Sequence, residues 1–316
     1  QETIRNSKFE IRNLDALAVT IGPGLIGSLL IGIETAKTLS IVFQKPIIPV
    51  NHLVGHIYAN FVKELSAKMG GATRGTPKKG PPLGVLGGRG ATGPVFPSLA
   101  LIVSGGHTEL VLMPNHGDYK VVGQTLDDAA GECFDKCARL LGLGYPGGPA
   151  IEAAASRCKI DDLRSKDIRL PRPMINDKSF NFSFSGLKTA VLYLIKKNNP
   201  SYILDHKSLA QGGQAYISYE LQEAITDVLV IKTLRAAQKF QVKSILVGGG
   251  VASNQRLRDK FQSTIRQLAD QQSAINIFFP EKKLCTDNAI GIASSAFFNY
   301  HPIHWSKLQP NPLLTI

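Results

Sequence analysis

Two histidines, His52 and His56, stand four residues apart in the stretch His-Leu-Val-Gly-His. On a helix this spacing places both imidazoles on one face, where two ring nitrogens can bind one metal ion. A zinc-protease motif would carry a glutamate directly after the first histidine as general base, but Leu53 occupies that position. The pair indicates either a metal site without a protease base, completed by a ligand from elsewhere, or two ordinary histidines at the edge of a core.

Two acidic stretches offer oxygen atoms to such a site or to a ligand. Asp287 follows Cys285 and Thr286 at the start of a predicted helix, where its carboxylate suits either the N-cap or the missing metal ligand. The run from Asp127 to Asp135 opens another predicted helix, and Asp135 lies too deep in it for capping. We expect Asp135 either to accept a hydrogen bond from a ligand hydroxyl or to form a solvated face with Lys136.

Three glycine-rich turns follow predicted strands. Gly22-Pro-Gly-Leu-Ile-Gly27 fits the dinucleotide fingerprint, but no acid ends the next strand to hold a ribose, so a tight turn is the better interpretation. Ser104-Gly-Gly-His-Thr108 fits an ordinary hairpin turn and a backbone cradle for an oxyanion equally well. Gly248-Gly-Gly-Val-Ala-Ser-Asn254 precedes a helix and lacks the Walker lysine, and it is typical of an adenine or phosphate pocket.

The elements that carry these motifs alternate between strands and helices. A predicted strand over 14–21 precedes a helix over 25–43, and a second strand over 46–50 precedes the histidine helix, which Asn51 can cap and which we extend to about Lys68. This order is typical of a mostly parallel sheet covered by helices. Strands over 98–103 and 109–113 form a hairpin around the Ser104 loop. The sequence therefore predicts an α/β fold in two units.

Composition narrows the class of protein. With 316 residues, 43% of them hydrophobic, the chain can bury a core without disulfides. Its four cysteines are too few for a disulfide scaffold, and this favours a reducing compartment. Cys133 and Cys137 are interpreted as buried thiols on one helix face. No apolar run reaches about 18 residues, so we expect no transmembrane helix. The net charge of +12 favours an anionic partner such as nucleic acid.

The motifs are far more specific together than singly. Along the chain they occur in this order: Gly-Pro-Gly-Leu-Ile-Gly-Ser, Pro-Val-Asn-His-Leu-Val-Gly-His, Val-Ser-Gly-Gly-His-Thr, Asp-Asp-Ala-Ala-Gly-Glu-Cys-Phe-Asp-Lys, Tyr-Pro-Gly-Gly-Pro, Asn-Phe-Ser-Phe-Ser-Gly-Leu-Lys, Gly-Gly-Val-Ala-Ser-Asn and Cys-Thr-Asp-Asn. This series resembles the bacterial TsaD type of the universal threonylcarbamoyladenosine tRNA-modification family. The resemblance runs from about Leu14 to about Asn299.

The resemblance implies a fold, a reaction and a set of site residues. The fold is two-lobed and actin-like, of the ATPase superfamily, with the site in the cleft. The reaction transfers threonylcarbamoyl from threonylcarbamoyl-AMP to N6 of adenosine 37 in tRNAs that read codons beginning with A. The residues that fall on the family's metal ligands are His52, His56 and Asp287. Those that fall on substrate-binding positions are Ile102, Val103, Ser104, Gly105 and Gly106 in the loop, Asp135 and Gly148 at the nucleoside, Glu152 at a ribose in some relatives, and Asn254 at the adenylate.

The chemistry that follows needs a metal and partners. We expect one divalent metal per subunit, Fe²⁺ first and Zn²⁺ as the alternative, since both suit two imidazoles and a carboxylate. Such a metal acts as a Lewis acid. His107 is a candidate general base by position only, and direct attack assisted by the metal alone is the alternative. The implied partners are tRNA, threonylcarbamoyl-AMP and smaller TsaB-like and TsaE-like proteins, in the cytoplasm and without a membrane.

The predicted organisation has four parts. Residues 1–65 form the remainder of the first α/β lobe, 66–96 a flexible basic insertion, 97–298 the second lobe with the nucleotide-binding loops, and 299–316 a C-terminal tail. The insertion is rich in Gly, Pro and Lys/Arg and has no acid, a composition that cannot bury a core. It is either an arm that contacts tRNA or, as we favour, a mobile loop. Family members begin with a phosphate loop upstream of this start, so we expect an N-terminally truncated first lobe.

Three other functions stay open on the sequence. A sugar or acetate kinase of the same superfamily needs a general-base aspartate near the cleft and no histidine pair. A metal-dependent peptidase needs a base beside the metal, where Leu53 stands. A non-catalytic scaffold would follow from the missing phosphate loop.

Overall fold

The computed structural model describes residues 11–62, 93–158, 169–198, 211–269 and 275–316. The chain divides into two compact units, Gln1–Gly93 with Asp287–Ile316, and Pro94–Thr286. The chain returns to the first unit at Asp287, whereas the sequence predicts a boundary between residues 298 and 299. Most of the predicted insertion, over 66–92, lies outside the described residues, as does the predicted extension of the histidine helix beyond residue 62.

The first unit is built on two parallel strands. Its elements are β1 (Leu17–Gly22), α1 (Ile26–Phe43), β2 (Ile47–Asn51) and α2 (His52–Tyr58), and we label its returning helix, Ala289–Phe298, α9. The strands pair from Leu17 opposite Ile47 to Gly22 opposite Asn51. Short 3₁₀ turns occur at Ile11–Asn13, Ala59–Phe61 and Trp305–Lys307. The predicted β-α-β-α order and the parallel pairing are confirmed, and the histidine helix ends at Tyr58.

Helix α1 has one buried face and one exposed apolar face. Leu29, Ile33 and Ala36 pack in a cluster with Ile47 and Leu308. By length and composition alone α1 is apolar enough to cross a membrane, with a mean hydropathy of 1.5, although the sequence predicted no such run. That is weak evidence, because core helices of soluble proteins and signal sequences pass the same test.

The C-terminal residues, predicted as a tail, pack on the first unit. Ile303 pairs with Ile47 in an isolated antiparallel β-bridge, and Leu308 is fully buried. The N–H of Asn311 donates to the Ile21 carbonyl at 2.7 Å. A Cβ at Gly22 would stand 1.8 Å from the Asn311 carbonyl oxygen. Gly22 therefore makes room for the chain itself, which agrees with the tight-turn interpretation of this motif.

The second unit has a five-stranded sheet in the order β5-β4-β3-β6-β7. Its elements are β3 (Ser98–Val103), β4 (Thr108–Met113), β5 (Lys120–Gln124), α3 (Ala130–Leu140), α4 (Gly147–Ala155), α5 (Ser185–Asn198), α6 (Gln211–Lys239), β6 (Ser244–Gly248), α7 (Gln255–Ala269), β7 (Asn276–Phe278) and α8 (Lys282–Cys285). The predicted β3–β4 hairpin is confirmed as antiparallel, while β3–β6 and β6–β7 are parallel. Every residue of the central strand β3 is buried.

The core of the second unit lies between this sheet and its helices. Leu99, Leu101 and Val103 of β3 share one cluster with Cys133 and Cys137 of α3. Both thiols are fully buried, which confirms their predicted packing role. This rigid core fixes the strand ends from which the predicted substrate loops emerge.

Candidate functional site

The first unit brings His52, His56 and Asp287 together. The Nε2 atom of each histidine lies 3.4 Å from Oδ1 of Asp287. The two imidazole rings are 4.7 Å apart at their centroids and meet edge to face. One ligand atom from each of the three residues lies within 4.8 Å of the others, which is close enough for the three residues to hold one metal ion. The predicted ligand set therefore forms a cluster inside one unit.

Helix α2 begins directly at the end of β2, with no loop between them. Asn51 caps it, since its Oδ1 accepts from Leu53 N at 2.8 Å and from Val54 N at 3.4 Å. The predicted cap is confirmed. The four-residue spacing then puts His52 and His56 on the face toward Asp287.

Two glycines let α9 approach α2. A Cβ at Gly291 would stand 2.6 Å from the Gly55 carbonyl oxygen, and a Cβ at Gly55 would stand 2.5 Å from Cδ1 of Ile292. Gly55 lies between the two histidines, and Asp287 lies just before α9. This close crossing carries the aspartate to the imidazoles, and the sequence analysis assigned no role to either glycine.

The N-cap of α9 is Asn288, whose Oδ1 accepts from Gly291 N at 2.9 Å. The alternative role of Asp287 as helix cap is therefore wrong. Its carboxylate points to the histidines, and hydrogen bonds from His52 and His56 hold its pKa well below the ordinary value. Asp287 is thus ionised and ready to act as an anionic ligand.

The donor set fits a divalent transition metal. His56 is buried, His52 is a quarter exposed, and the Asp287 side chain is 81% exposed. A small pocket at the cluster is lined by His52, Gly55, His56, Asp287, Asn288, Gly291 and Ile292. Two imidazoles and one carboxylate, with one side toward solvent, leave coordination positions for a further ligand.

The second unit carries the predicted substrate loop at the β3–β4 turn. Ser104 N donates to the His107 carbonyl at 2.8 Å, and His107 N donates to Ser104 Oγ at 3.1 Å. Gly105 and Gly106 are exposed, and a Cβ on either would meet nothing within 4 Å. Packing within the unit does not demand glycine at these two positions, so their open backbone suits the close approach of a ligand.

Two neighbouring glycines allow other parts of the backbone to pack closely against this loop. A Cβ at Gly131 would stand 2.4 Å from the Ser104 carbonyl oxygen, and a Cβ at Gly249, where φ is +92°, would stand 2.4 Å from that of Val103. Ile102 and Val103 are fully buried, so only their backbone can face a ligand.

Asp135 of α3 contacts the start of α4, where Gly148 lies. Oδ1 of Asp135 accepts from Gly147 N at 2.6 Å. The alternative Asp135–Lys136 face is not formed, since Lys136 contacts Asp128 at 2.7 Å and Glu132 at 3.0 Å. A Cβ at Gly148 would meet nothing within 4 Å, so this edge is open.

Glu152 and Asn254 meet at the N-terminus of α7. Asn254 Oδ1 accepts from Leu257 N, and its Nδ2 donates to Gln222, both at 2.9 Å. Glu152 Oε1 accepts from Gln255 N at 2.8 Å. Both predicted contact residues therefore cap a helix, and their ligand contacts stay predictions.

Asp127 organises a loop that the sequence analysis left without a role. Its carboxylate accepts from Ser183 Oγ at 2.6 Å, Phe184 N at 2.8 Å, Ser185 Oγ at 2.8 Å and Ser185 N at 3.3 Å. Burial raises the pKa of Asp127, but these hydrogen bonds outweigh it and the net pKa is lowered. The Asn-Phe-Ser-Phe-Ser motif supplied the signal, since it is rich in hydrogen-bond donors and contains no acid itself.

Comparison with solved structures defines the class of fold. The crystal structure of T. kodakarensis HypF aligns with a TM-score of 0.53 at 14% identity, covering 92% of this chain and 41% of that one. Full-length HypF in the phosphate- and nucleotide-bound form gives 0.53 at 12% identity, covering 91% and 39%. The chain spans about two fifths of these proteins, and the likeness shows an α/β fold alone.

Sequence comparison defines the family. The model of the tRNA N6-adenosine threonylcarbamoyltransferase family, TsaD, matches residues 1–70 and 85–294. Proteins named tRNA N6-adenosine threonylcarbamoyltransferase match from Persephonella marina (41% identity, 93% of this chain, 72% of theirs), Thermomicrobium roseum (44%, 90%, 72%) and Bacillus subtilis (40%, 93%, 72%). The chain belongs to the TsaD family.

Proposed function

We propose that this chain transfers the threonylcarbamoyl group from threonylcarbamoyl-AMP to N6 of adenosine 37 in tRNAs that read codons beginning with A. The observation that carries the proposal is the family match, which extends over both units. The net charge of +12 supports a polyanionic substrate such as tRNA. The family is a transferase family, and the peptidase, kinase and scaffold alternatives are not favoured.

The metal centre in this proposal consists of His52, His56 and Asp287. Its metal is Fe²⁺, with Zn²⁺ as the alternative, because both ions accept two imidazoles and a carboxylate. A bound metal supplies a Lewis acid for the carbamoyl group. The chain's own part is to keep two ring nitrogens and an ionised carboxylate in one cluster, which the α2–α9 crossing supports.

The loops of the second unit hold threonylcarbamoyl-AMP in this proposal. Gly105 and Gly106 offer backbone N–H groups that offset charge on the phosphate of the leaving AMP, and Ser104 shapes the turn. Ile102 and Val103 contribute through their main chain, since their side chains are buried.

The remaining contacts complete the substrate site of this proposal. Asp135 and Gly148 contact the nucleoside, Glu152 the ribose and Asn254 the adenylate. His107 stays the candidate general base, with attack assisted by the metal alone as the alternative.

The proposal extends to the assembly and its setting. We assign a two-lobed actin-like fold of the ATPase superfamily, supported by the two separate α/β units. TsaB-like and TsaE-like proteins are the proposed partners, and the cytoplasm is the proposed compartment. The four cysteines all lie within the described ranges and form no disulfide bond there, in keeping with a reducing compartment.

The test uses cells that lack this protein and every other family member. Wild-type chain should restore threonylcarbamoyladenosine in digested tRNA, measured by mass spectrometry. His56→Ala should lower it by at least about 100-fold because a metal ligand is lost. His301→Ala, at an exposed histidine of the same unit, is the matched control and should restore it fully. Persistence of the modified nucleoside in the cells without any complementing chain would overturn the proposal.

A further inference from the structure

Asn51 joins three parts of the first unit. It ends β2, it lies opposite Gly22 of β1, and it directly precedes the proposed ligand His52. Its Oδ1 caps the first turn of α2 through Leu53 N and Val54 N. Its Nδ2 donates at 3.1 Å to the carbonyl of Thr315, more than 250 residues away in sequence. One amide group therefore connects the C-terminal residues to the histidine helix.

The segment Asn311–Thr315 crosses the carboxyl ends of both parallel strands. Its anchor at β1 is the bond from Asn311 N to Ile21 O, and Gly24 N donates to the Pro312 carbonyl at 3.3 Å. A Cβ at Gly22 would clash with Asn311 and come within 3.1 Å of Cβ of Leu314. At the end of β2, the segment is held by the hydrogen bond from Asn51 to the Thr315 carbonyl. In α/β sheets this edge is where ligands commonly bind, and here the chain itself occupies it.

Helix α2 depends on its first turn more than a long helix would. It has seven residues, so one cap hydrogen-bonds a large share of its free N–H groups. His52 is the first residue of that turn, and it is the more exposed of the two histidines. The orientation of Asn51 therefore bears directly on the imidazole of His52.

We propose that Asn51, held by the segment Asn311–Thr315, is a positioning residue that orients His52 for metal binding. This inference rests on the proposed metal centre. Asn51 touches neither the metal position nor the substrate in this role. It acts through the first turn of α2, much as outer-shell partners orient metal-binding histidines elsewhere.

Two variants separate the tail contact from the cap. Asn51→Asp keeps Oδ1 as cap and replaces the Nδ2 donor with an oxygen. The added negative charge by itself stabilises a helix N-terminus and attracts a nearby cation. A loss of metal affinity in this variant would therefore occur despite the charge. Deletion of residues 315–316 removes the acceptor and leaves Asn51 intact. Each change should weaken Co²⁺ binding about three- to tenfold, and the double variant should be no weaker than either alone.

A third variant displaces the segment Asn311–Thr315 through a steric clash. Gly22→Ala places a Cβ against Asn311 and should give a similar loss, although Asn51 and the three proposed ligands are unchanged. Gly27→Ala is the matched control, since a Cβ there would meet nothing within 4 Å. Co²⁺ alone is the probe, titrated into the full chain. Its visible absorption spectrum reports ligand geometry and should change in all three variants, while thermal unfolding without metal tests folding.

The outcomes separate the inference from the proposed function. If the wild-type chain binds no Co²⁺, the metal centre itself fails, and the positioning role fails with it. If the wild type binds and the variants match it in affinity and spectrum, only the positioning role is overturned, even where their melting temperatures fall. If one of the three variants fails to fold, the other two still decide the question through affinity and spectrum.

Discussion

Each residue of the histidine–aspartate cluster is fixed by a different interaction. His56 is buried in α2, His52 depends on the Asn51 cap, and Asp287 depends on the crossing of α9. Asp287 is ionised through hydrogen bonds from the two histidines. Such a cluster needs every contact, because loss of one partner leaves the others without their hydrogen bonds.

A residue-scale prediction concerns Asp127. Asp127→Asn should destabilise the chain by about 1 kcal/mol at pH 7, since an amide nitrogen replaces a carboxylate oxygen that accepts from serine hydroxyls. The lowered pKa of Asp127 means that its contribution is present above the ordinary value of 3.8 and is lost as pH falls below it. Urea unfolding of both chains between pH 7 and pH 3 measures this difference.

The control for this prediction is Asp118→Asn, at an exposed turn on the other side of β5 in sequence. It should leave stability unchanged across the same pH range. A gap between wild type and Asp127→Asn that stays constant down to pH 3 would contradict the prediction, because neutral Asp127 would then be as good an acceptor as the carboxylate.

At the scale of elements, the cluster is a product of helix packing. Helices α2 and α9 touch through Gly55 and Gly291, and neither position leaves space for a side chain. The obstacle differs between the two. Gly291 meets a backbone carbonyl, which cannot move alone, whereas Gly55 meets the flexible end of Ile292.

An element-scale prediction follows from this asymmetry. Gly291→Ala should lower the free energy of unfolding by about 2 kcal/mol and weaken Co²⁺ binding at least tenfold. The reason is that α9 must move away from α2 and carry Asp287 with it. Gly55→Ala should lower both stability and Co²⁺ affinity by less. Adding Ile292→Ala to Gly55→Ala should recover much of the lost Co²⁺ affinity. Thermal unfolding and Co²⁺ titration measure both quantities. Equal effects of the two glycine variants, with no recovery, would show that the crossing does not set the ligand distance.

At the scale of the whole molecule, two compact units share one basic chain. The first unit is discontinuous in sequence and contains all three proposed metal ligands. The second contains the glycine loop and the residues that we propose to contact the nucleoside. The family model matches both units and leaves residues 71–84 unmatched, within the predicted basic insertion.

A prediction about tRNA belongs to this scale. Deleting residues 71–84 removes Arg74, Lys78 and Lys79. We expect tRNA modification to stay within about twofold of wild type, because the family model has no counterpart to these residues. The dependence of tRNA affinity on salt should also stay unchanged. A fall of about two in the slope of log affinity against log salt would show instead that the segment is a tRNA-contacting arm.

The sequence by itself determined what depends on local spacing. Helical periodicity put His52 and His56 on one face, Asn51 predicted the cap of α2, and alternating strands and helices predicted the parallel pair and the β3–β4 hairpin. These features follow from neighbouring residues, so a single sequence contains them.

Only the tertiary structure decided which distant groups meet. Asp287 was equally suited to cap a helix or to join the histidines, and the Gly55–Gly291 crossing decided it. The C-terminal residues had no periodicity to predict that they pack on Gly22 and bond to Asn51. The partners of Asp127 lie more than 50 residues along the chain. Such contacts depend on how packed elements fit together, which local spacing does not encode.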